Sequence, residues 1–250
     1  MNVKDSVLER YSEGAREVQP SLCCPVSYDP ALLDQLPDEI IDKDYGCGDP
    51  SAYVRPGDTV LDLGSGGGKI CYIAAQLVGK QGKVIGVDMN DDMLKLARKY
   101  QSEMAKKIGY HNTVFHKGHI QDLAIDLERM HTWLQNNPIQ NTVDLDRLDA
   151  WKAGQRSNHP MIGDNSVDLV ISNCVLNLVD DTLKTNLVQE IFRVLKPGGR
   201  IAISDIVSDE LCPETLKHDP RLWSGCLSGA FQEKDFLDAF TRSGFISVMI

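Results

Sequence analysis

The stretch that decides the fold is TVLDLGSGGGKICYIAAQLVG, residues 59–79, in which a run of glycines joins a short apolar segment to a helical pattern. Its first part has the β-branched and leucine residues of a buried strand, and its last part has helical spacing and a glycine stop. Further apolar segments alternate with helical ones along the chain, and those predicted as strands are 83–88, 113–118, 167–172, 200–207 and 245–250. This alternation predicts βαβ units, and therefore an α/β fold with a mostly parallel sheet and helices on both faces.

The predicted sheet domain occupies residues 51–250 and follows a helical segment at 1–50 that carries several cysteines. The region 124–160 contains two tryptophans and many polar residues where a tight connection is expected. We interpret it as an insertion that lies over one end of the sheet. The last residue, Ile250, falls within a predicted strand. Because an apolar strand is rarely left unprotected at an edge, we expect the natural protein to continue beyond it.

Composition narrows the class of partner. A formal charge of −10 argues against nucleic acids and anionic membranes, which would require a clustered basic face. No apolar run approaches the ~18 residues that span a bilayer, and the N-terminus lacks the apolar core of a signal peptide. We therefore expect a cytoplasmic protein with reduced thiols. Its seven cysteines, odd in number and irregularly spaced, are a poor match to structural disulfides.

The glycine run has a carboxylate just ahead of it, in the pattern acidic-x-Gly-x-Gly-x-Gly that starts at Asp62. A dinucleotide fingerprint would place its third glycine at position 69, which is Lys69, so the spacing argues against NAD and FAD. The pattern instead resembles the glycine motif of S-adenosylmethionine-dependent methyltransferases. There, glycines allow the backbone to approach the methionine moiety of the cofactor closely.

Residues that follow the next two strands extend this predicted cofactor site. Asp88 is placed to accept hydrogen bonds from both ribose hydroxyls, since a carboxylate offers several lone pairs. Met89 would pack on the adenine, Ile120 would flank the ring, and Gln121 or Asp122 would bind its edge. The predicted cofactor-binding residues are Asp62, Gly64, Ser65, Gly66, Asp88, Met89, Ile120, Gln121 and Asn173.

The cysteines divide into two groups by their context. Cys71 lies among apolar residues and is predicted to be core, and Cys212 has no evident partner. The others lie in Pro/Gly-punctuated segments or at the predicted cofactor edge of the sheet; they are Cys23, Cys24, Cys47, Cys174 and Cys226. The last three come from three separate loops that can converge over the transferred methyl group, a convergence that spacing alone leaves open.

These cysteine contexts resemble those of arsenite S-adenosylmethionine methyltransferases. The segments YGCG, LDLGSGGG, VIGVDM, ISNCVLNLV, VLKPGG, SDI and LWSGCLSGAF occur in the order and at about the separations typical of that family. The likeness covers most of 40–245 apart from 124–160. It implies a Rossmann-like class I methyltransferase fold with S-adenosylmethionine as the methyl donor.

The resemblance also implies roles for the cysteines. Cys47, Cys174 and Cys226 would bind trivalent arsenic as substrate, and Cys23 or Cys24 would take part in disulfide exchange. Thiolates suit this soft, thiophilic element. The implied reaction methylates arsenite or methylarsenite in arsenic detoxification, with an external thiol reductant such as thioredoxin or glutathione. We expect a monomer without nucleic-acid or membrane partners.

The chain departs from the family in three respects. Leu176 stands where animal members carry a further cysteine, the doubled Cys23–Cys24 leaves the redox partner ambiguous, and the C-terminal domain of longer members is absent from this chain.

Two other interpretations of the sequence stay open. One is a methyltransferase for a small organic acceptor, in which Cys174 only packs in the core. The other is a thiol-based zinc- or metalloid-binding module that uses Cys23, Cys24 and Cys47, although the usual C-x-x-C spacing is missing.

Overall fold

A six-stranded, mostly parallel sheet lies at the centre of the protein, for which a computed structural model describes residues 3–19, 26–217 and 219–250. Its strands are β1 (Thr59–Leu63), β2 (Lys83–Asp88), β3 (Thr113–His119), β4 (Asp122–Asp126), β5 (Val167–Asn173) and β6 (Leu195–Ser204). Their spatial order is β4-β3-β2-β1-β5-β6, and β4 runs antiparallel to β3 whereas the other neighbours are parallel. A small second sheet pairs β7 (Val207–Ser208) with β8 (Phe231–Gln232). The predicted α/β fold is confirmed.

Helices pack on both faces of the sheet and around its ends. They are α1 (Val3–Arg16), α2 (Pro30–Leu33), α3 (Asp38–Asp42), α4 (Lys69–Val78), α5 (Asp91–Lys99), α6 (Gln101–Ile108), α7 (Leu127–Asn136), α8 (Thr142–Asn158), α9 (Lys184–Val194), α10 (Glu214–Lys217), α11 (Pro220–Ser224) and α12 (Glu233–Arg242). Within the described residues, no helix is long and apolar enough to cross a membrane.

Alternate residues of the central strands face two separate hydrophobic cores. On β1, Val60 packs in the core that contains Ile73 of α4, whereas Leu61 and Leu63 pack in the core that contains Ile191 of α9. All five side chains are buried. Burial on both faces explains why the central strands β1, β2 and β5 are mostly continuous apolar runs instead of alternating ones.

The order of the strands creates a crevice at their carboxyl ends. The chain passes from β1 through α4 to β2 on one side, while β5 pairs with the other edge of β1. In open α/β sheets, ligands bind outside the carboxyl ends of the strands at such a reversal of strand order. The glycine run follows β1 and Cys174 follows β5, so the two predicted halves of the site meet there.

The strand predicted at 245–250 is wrong, because these residues form neither a helix nor a strand. The backbone N–H of Phe245 donates instead to the carbonyl of Phe240 at the end of α12, after a turn at Gly244 with φ of 101°. The ring of Phe245 packs against those of Phe192 and Phe240, with centroids 5.3 Å away in both cases. The apolar pattern at 245–250 therefore reflects an aromatic cluster that packs at the end of α12, and not a strand.

The region 124–160 contains more regular structure than an irregular loop. Its first residues complete β4, so the predicted boundary falls within a strand, and α7 and α8 follow beside that edge of the sheet. Trp133 and Trp151 stack on each other with ring centroids 5.6 Å apart. The two tryptophans thus join the two helices to each other.

Candidate active site

A cavity of about 580 Å³ lies at the carboxyl ends of β1, β2, β3 and β5. Cavities that bind small molecules or cofactors usually measure roughly 300–1,000 Å³. All of the predicted cofactor-binding residues line it, namely Asp62, Gly64, Ser65, Gly66, Asp88, Met89, Ile120, Gln121 and Asn173. The fold thus brings together residues that the sequence separates by more than a hundred positions.

The glycine loop wraps around one end of this cavity. The N–H groups of Gly64 and Ser65 donate to the carbonyl of Val87, which ties the loop to the end of β2. Gly66 has a φ of 50°, a left-handed conformation that most side chains disfavour. The buried hydroxyl of Ser65 has no hydrogen-bond partner among the described residues. A buried polar atom of this kind marks a place where a bound molecule can supply the missing partner.

Asp88 organises the loop from the neighbouring strand. One carboxylate oxygen accepts the N–H of Gly66 at 2.9 Å, and the other accepts the N–H of Asn90 at 2.8 Å. Burial raises the pKa of the Asp88 carboxyl above its usual range. Each oxygen keeps a further lone pair, so the predicted contact with the ribose hydroxyls is compatible with this geometry and stays a prediction.

Two further carboxyl groups line the same cavity and make it acidic. Asp62 is 2% exposed, and burial, with contributions from the nearby Asp88 and Asp44, raises its pKa to about 7. The thiol of Cys71, buried as predicted, donates to Asp62 at 3.2 Å. Asp44 forms an ion pair with Lys69 at 3.1 Å, and burial still raises the pKa of its carboxyl. Asp180 also lines the cavity, so four carboxyl groups face it together with two lysines, Lys4 and Lys43. This excess of acidic groups favours a ligand that carries positive charge.

The predicted adenine end contains one residue that the sequence analysis missed. His119, the last residue of β3, lines the cavity beside Gln121, and burial lowers the pKa of its imidazole. Its position at a strand end, equivalent to that of Asp88 on β2, was an available signal. Of the two candidates for the adenine edge, Asp122 does not line the cavity and instead binds Arg156 at 2.6 Å. Gln121 is the better placed of the two.

Cys47 and Cys174 form a disulfide, so the expectation that the thiols stay reduced and unpaired is wrong for these two residues. Their Cα atoms lie 5.8 Å apart although 127 positions separate them in the sequence. The sequence around either cysteine gives no indication that the two are paired. The fold creates it by setting the loop that precedes β1 against the carboxyl end of β5.

Cys226 lies next to this pair, so the three cysteines whose convergence the spacing left open are neighbours in the fold. Cys226 is 4% exposed, and its thiol donates to the carbonyl oxygen of Cys174 at 3.2 Å. The predicted redox cysteines, Cys23 and Cys24, lie outside the described residues. Three cysteines from three separate loops therefore meet at one edge of the cavity, which Cys174 itself lines.

Two of these cysteines have strained backbones. Cys174 has a φ of 57° and Cys226 a φ of 63°, and only two other non-glycine residues within the described chain have positive φ. The N–H of Cys174 donates to the carbonyl of Ser204, and that of Cys226 to the carbonyl of Trp223. Such conformations cost of order 1–3 kcal/mol each and persist where the surroundings over-determine them, typically at functional sites.

A polar pair that the sequence analysis also missed, the buried Asn177 and the partly buried Asp205, supports the loop after Cys174. Asp205 accepts the N–H of Leu176 at 2.9 Å, the side-chain amide of Asn177 at 2.7 Å and the N–H of Ile206 at 2.9 Å. The Asn177 amide also accepts the N–H of Phe231 at 3.3 Å. The segments ISNCVLNLV and SDI contain these residues, but nothing in their spacing reveals the contact.

Helix α1 covers the cavity from outside the sheet. Its residues Val7, Leu8 and Tyr11 line the cavity. Arg10 donates to the Arg221 carbonyl at 3.2 Å on one side. Asn90 donates to the Leu8 carbonyl at 3.1 Å on the other. The four-residue spacing of Val7, Tyr11 and Ala15 was the available sign of a buried stripe, which the prediction of a helical segment at 1–50 did not include.

No cluster of three His, Cys, Asp or Glu side chains suited to hold a metal ion occurs within residues 3–19, 26–217 and 219–250. The alternative zinc site would need Cys23 and Cys24, which lie outside those ranges. It therefore stays a prediction without a structural test.

Comparisons with known proteins agree with this geometry. The model of the methyltransferase domain family matches residues 55–148 and 152–244. The arsenite methyltransferase of Aquipseudomonas alcaligenes is 35% identical over 93% of this chain and 58% of its own length. The human arsenite methyltransferase is 33% identical over 85% of this chain and 48% of its own. The chain thus spans about half the length of the curated relatives it matches.

A solved structure shows the same architecture. It is that of CrArsM, an arsenic(III) S-adenosylmethionine methyltransferase from Chlamydomonas reinhardtii. The match has a TM-score of 0.67 at 33% sequence identity and covers 87% of this chain and 62% of that one. The predicted resemblance is confirmed by sequence and by fold.

Proposed function

The chain belongs to the methyltransferase domain family and resembles the arsenite methyltransferases over most of its length, and from that premise we propose that it methylates trivalent arsenic with S-adenosylmethionine. The observation that carries the proposal is the meeting of Cys47, Cys174 and Cys226 beside the glycine-loop cavity. Arsenite and methylarsenite are the proposed substrates, and arsenic detoxification is the proposed role.

The residues of the cavity fit the proposed cofactor. Asp88 offers lone pairs to the ribose hydroxyls, and the orphaned Ser65 hydroxyl lies beside the glycine loop. Gln121 and Ile120 serve the adenine, and Asp62 faces the cationic methionine end. When bound, S-adenosylmethionine supplies an electrophilic methyl group attached to a sulfonium.

The three cysteines bind the arsenic substrate and orient its lone pair. Reduction of the Cys47–Cys174 disulfide gives two thiols, and with Cys226 they form a trigonal set of soft ligands. Arsenic bound to three thiolates keeps a lone pair, which forms the new arsenic–carbon bond as the methyl group leaves the sulfonium with the bonding pair staying on sulfur. No proton leaves the nucleophile, so no general base is needed. The protein contributes by positioning the two reactants and by excluding water from the cavity, which α1 covers.

We propose that the Cys47–Cys174 pair supplies the two electrons that reduce arsenic again after methyl transfer. Methyl transfer formally oxidises arsenic by two electrons, and oxidation of two thiols to one disulfide returns them with release of two protons. The Cys47–Cys174 pair corresponds to this oxidised state. Cys23 or Cys24 would exchange with it, and an external thiol such as thioredoxin or glutathione would restore the thiols.

The segment 1–50, predicted as separate from the sheet domain, takes part in the proposed site. It contributes Cys47 from its last loop, and it contributes the cavity-lining residues of α1. We therefore propose that the two regions function as one catalytic unit.

The test uses Cys226→Ser, with Cys212→Ser as the matched control. Cys212 lies 14 positions earlier, is partly exposed, and is placed in no part of the site. With arsenite, S-adenosylmethionine and excess thiol, Cys226→Ser should lose methylated-arsenic production at least about a hundredfold, as measured by chromatography with arsenic detection. Cys212→Ser should retain it. Both variants should bind S-adenosylhomocysteine as the parent chain does.

Methylation of arsenite at the parental rate by Cys226→Ser would contradict the proposed ligand set. Methyl transfer to an organic acceptor, with none to arsenite in the parent chain, would favour the alternative methyltransferase.

A further inference from the structure

The side chain of Asn173, at the end of β5, is turned toward the loop that carries Cys47. Its Oδ1 accepts the N–H of Cys47 at 2.8 Å and the N–H of Gly48 at 3.1 Å. Its Nδ2 donates to the carbonyl of Gly48 at 2.7 Å. Both lone pairs of the amide oxygen and one of the two amide protons are therefore used on a segment 125 positions away. Asn173 was predicted as a cofactor residue, and although it lines the cavity, its amide is engaged elsewhere.

The glycines on either side of Cys47 permit this contact because they have no side chain. A Cβ atom at Gly46 would overlap the amide of Asn173, and one at Gly48 would overlap the side chain of Ser204. The loop backbone therefore lies directly against the ends of β5 and β6, closer than any larger residue would allow. The segment YGCG is explained by this close approach.

Tyr28 secures the same loop from outside the sheet. Its hydroxyl donates to the carbonyl of Gly48 at 3.0 Å, so Asn173 and Tyr28 share one acceptor. Tyr28 in turn packs under Lys69, whose Nζ lies 4.1 Å from the ring centroid. The carbonyl of Gly48 is thus held from two sides, and Asn173 is the member of this arrangement that is adjacent in sequence to Cys174.

We propose that Asn173 is a positioning residue that sets the effective concentration of Cys47 at Cys174. Because Asn173 directly precedes Cys174, each hydrogen bond that it makes to Cys47–Gly48 brings the two thiols together. Two groups on separate loops react or share a ligand readily only when their relative position is fixed in advance. The relevance of this role to arsenic rests on the proposed function, but the thiol–disulfide equilibrium of the pair does not.

The test compares Asn173→Ala, Asn173→Asp and the control Ser172→Ala in chains where Cys23 and Cys24 are replaced by serine. Ser172 is buried beside Asn173, but its hydroxyl donates to Leu63 within the sheet and not to the Cys47 loop. Each chain is equilibrated with buffers of reduced and oxidised glutathione and quenched with an alkylating reagent. The Cys47–Cys174 disulfide is then quantified by peptide mass spectrometry. The exchange balances, since oxidation of the two thiols reduces one oxidised glutathione to two reduced ones.

Asn173→Ala should lower the equilibrium constant for disulfide formation about tenfold or more, because three hydrogen bonds are lost. Asn173→Asp keeps the acceptor for the two N–H groups and should fall between the alanine variant and the parent; it carries the test if the alanine variant does not fold. Ser172→Ala should match the parent. In every folded variant, calorimetry should give an affinity for S-adenosylhomocysteine within about threefold of the parental value.

An unchanged thiol–disulfide equilibrium in both Asn173 variants would overturn the proposal. So would a loss of S-adenosylhomocysteine affinity as large as the change in that equilibrium, which would return Asn173 to the cofactor site. A lowered equilibrium in a chain that methylates no arsenic would sustain the positioning role while overturning the proposed function.

Discussion

The cavity has two halves that differ in how the chain builds them. The cofactor half consists of the glycine loop 64–68 and the residues at the carboxyl ends of β2 and β3. The thiol half consists of the loop 44–48, the residues 173–178 at and after the end of β5, and the turn 223–228. In the cofactor half, each functional residue lies close to the carboxyl end of its own strand. In the thiol half, three distant loops are held together by side-chain contacts.

This difference shows that one fold uses two kinds of positioning in one site. Asp88 accepts the N–H of Gly66 in the glycine loop, 22 positions away, and that of Asn90, two positions away. Asn173 and Asp205 hold loops that are 125 and 29 positions away. The halves should therefore fail independently, and each of the following predictions tests that separation.

The largest effect is expected from Asp88→Ala in the cofactor half. The substitution removes the acceptor of the Gly66 and Asn90 N–H groups together with the proposed ribose contact, and hydrogen bonds to charged groups contribute about 1.5–3 kcal/mol each. Affinity for S-adenosylhomocysteine, measured by calorimetry, should fall about a hundredfold or more. Asp91→Ala, which removes an exposed carboxylate at the start of α5, should leave it unchanged. The separation of the halves would be refuted if the reduced Asp88→Ala chain also lost arsenite binding.

Asp205→Ala should produce the next largest effect, this time in the thiol half. It leaves donors from Leu176, Asn177 and Ile206 without their acceptor, and we expect the free energy of unfolding to fall by about 2–4 kcal/mol. Chemical denaturation measures this change, with the exposed Asp209→Ala as control. Arsenite binding should weaken more than S-adenosylhomocysteine binding does. Equal weakening of both ligands would show that Asp205 supports the whole cavity and not one half.

The smallest effect is a pH dependence of the cofactor half. Because the pKa of Asp62 is about 7, its carboxyl gains negative charge as the pH rises from about 6 to about 8. Affinity for S-adenosylhomocysteine, whose amino group is cationic, should rise about tenfold over this range, and Asp62→Asn should abolish the slope. His119 lines the same cavity, and burial lowers the pKa of its imidazole; the comparison with Asp62→Asn separates the contribution of Asp62 from that of His119.

The same group affects the stability of the ligand-free chain in the opposite direction. A carboxyl whose pKa is raised on folding contributes stability that is complete below its unfolded pKa and is lost as the pH rises through about 7. Thermal unfolding without ligand should therefore show a lower midpoint at about pH 8 than at about pH 6, less so in Asp62→Asn. A midpoint that rises with pH to the same extent in both proteins would contradict the role given to Asp62.

The two halves also differ in how far the sequence could predict them. Asp88, Gly66 and Gln121 were found because parallel strands place their carboxyl ends at one edge, so residues after successive strands share a cavity. His119 obeys the same rule and could have been found. The rule needs only the order of strands and turns, which local apolar patterns carry well.

The thiol half could be predicted only in part. Cys174 was recognisable at a strand end, but its pairing with Cys47 depends on a loop packed through Asn173, and no spacing encodes that contact. The positive φ of Cys174 and Cys226 is likewise a product of tertiary packing. The resemblance identified the cysteines without giving the contacts that join them. For Phe245, the local pattern was misleading because an apolar run without a neighbouring strand packs as a cluster.

The most direct test of the account is the sulfur coordination of arsenic in the reduced chain, measured by X-ray absorption at the arsenic edge. The account predicts that arsenite bound to the parent chain has three sulfur neighbours, from Cys47, Cys174 and Cys226, and that Cys226→Ser reduces this number to two. Arsenic that keeps oxygen neighbours in the parent chain, or shows the same sulfur coordination in both proteins, would contradict the account.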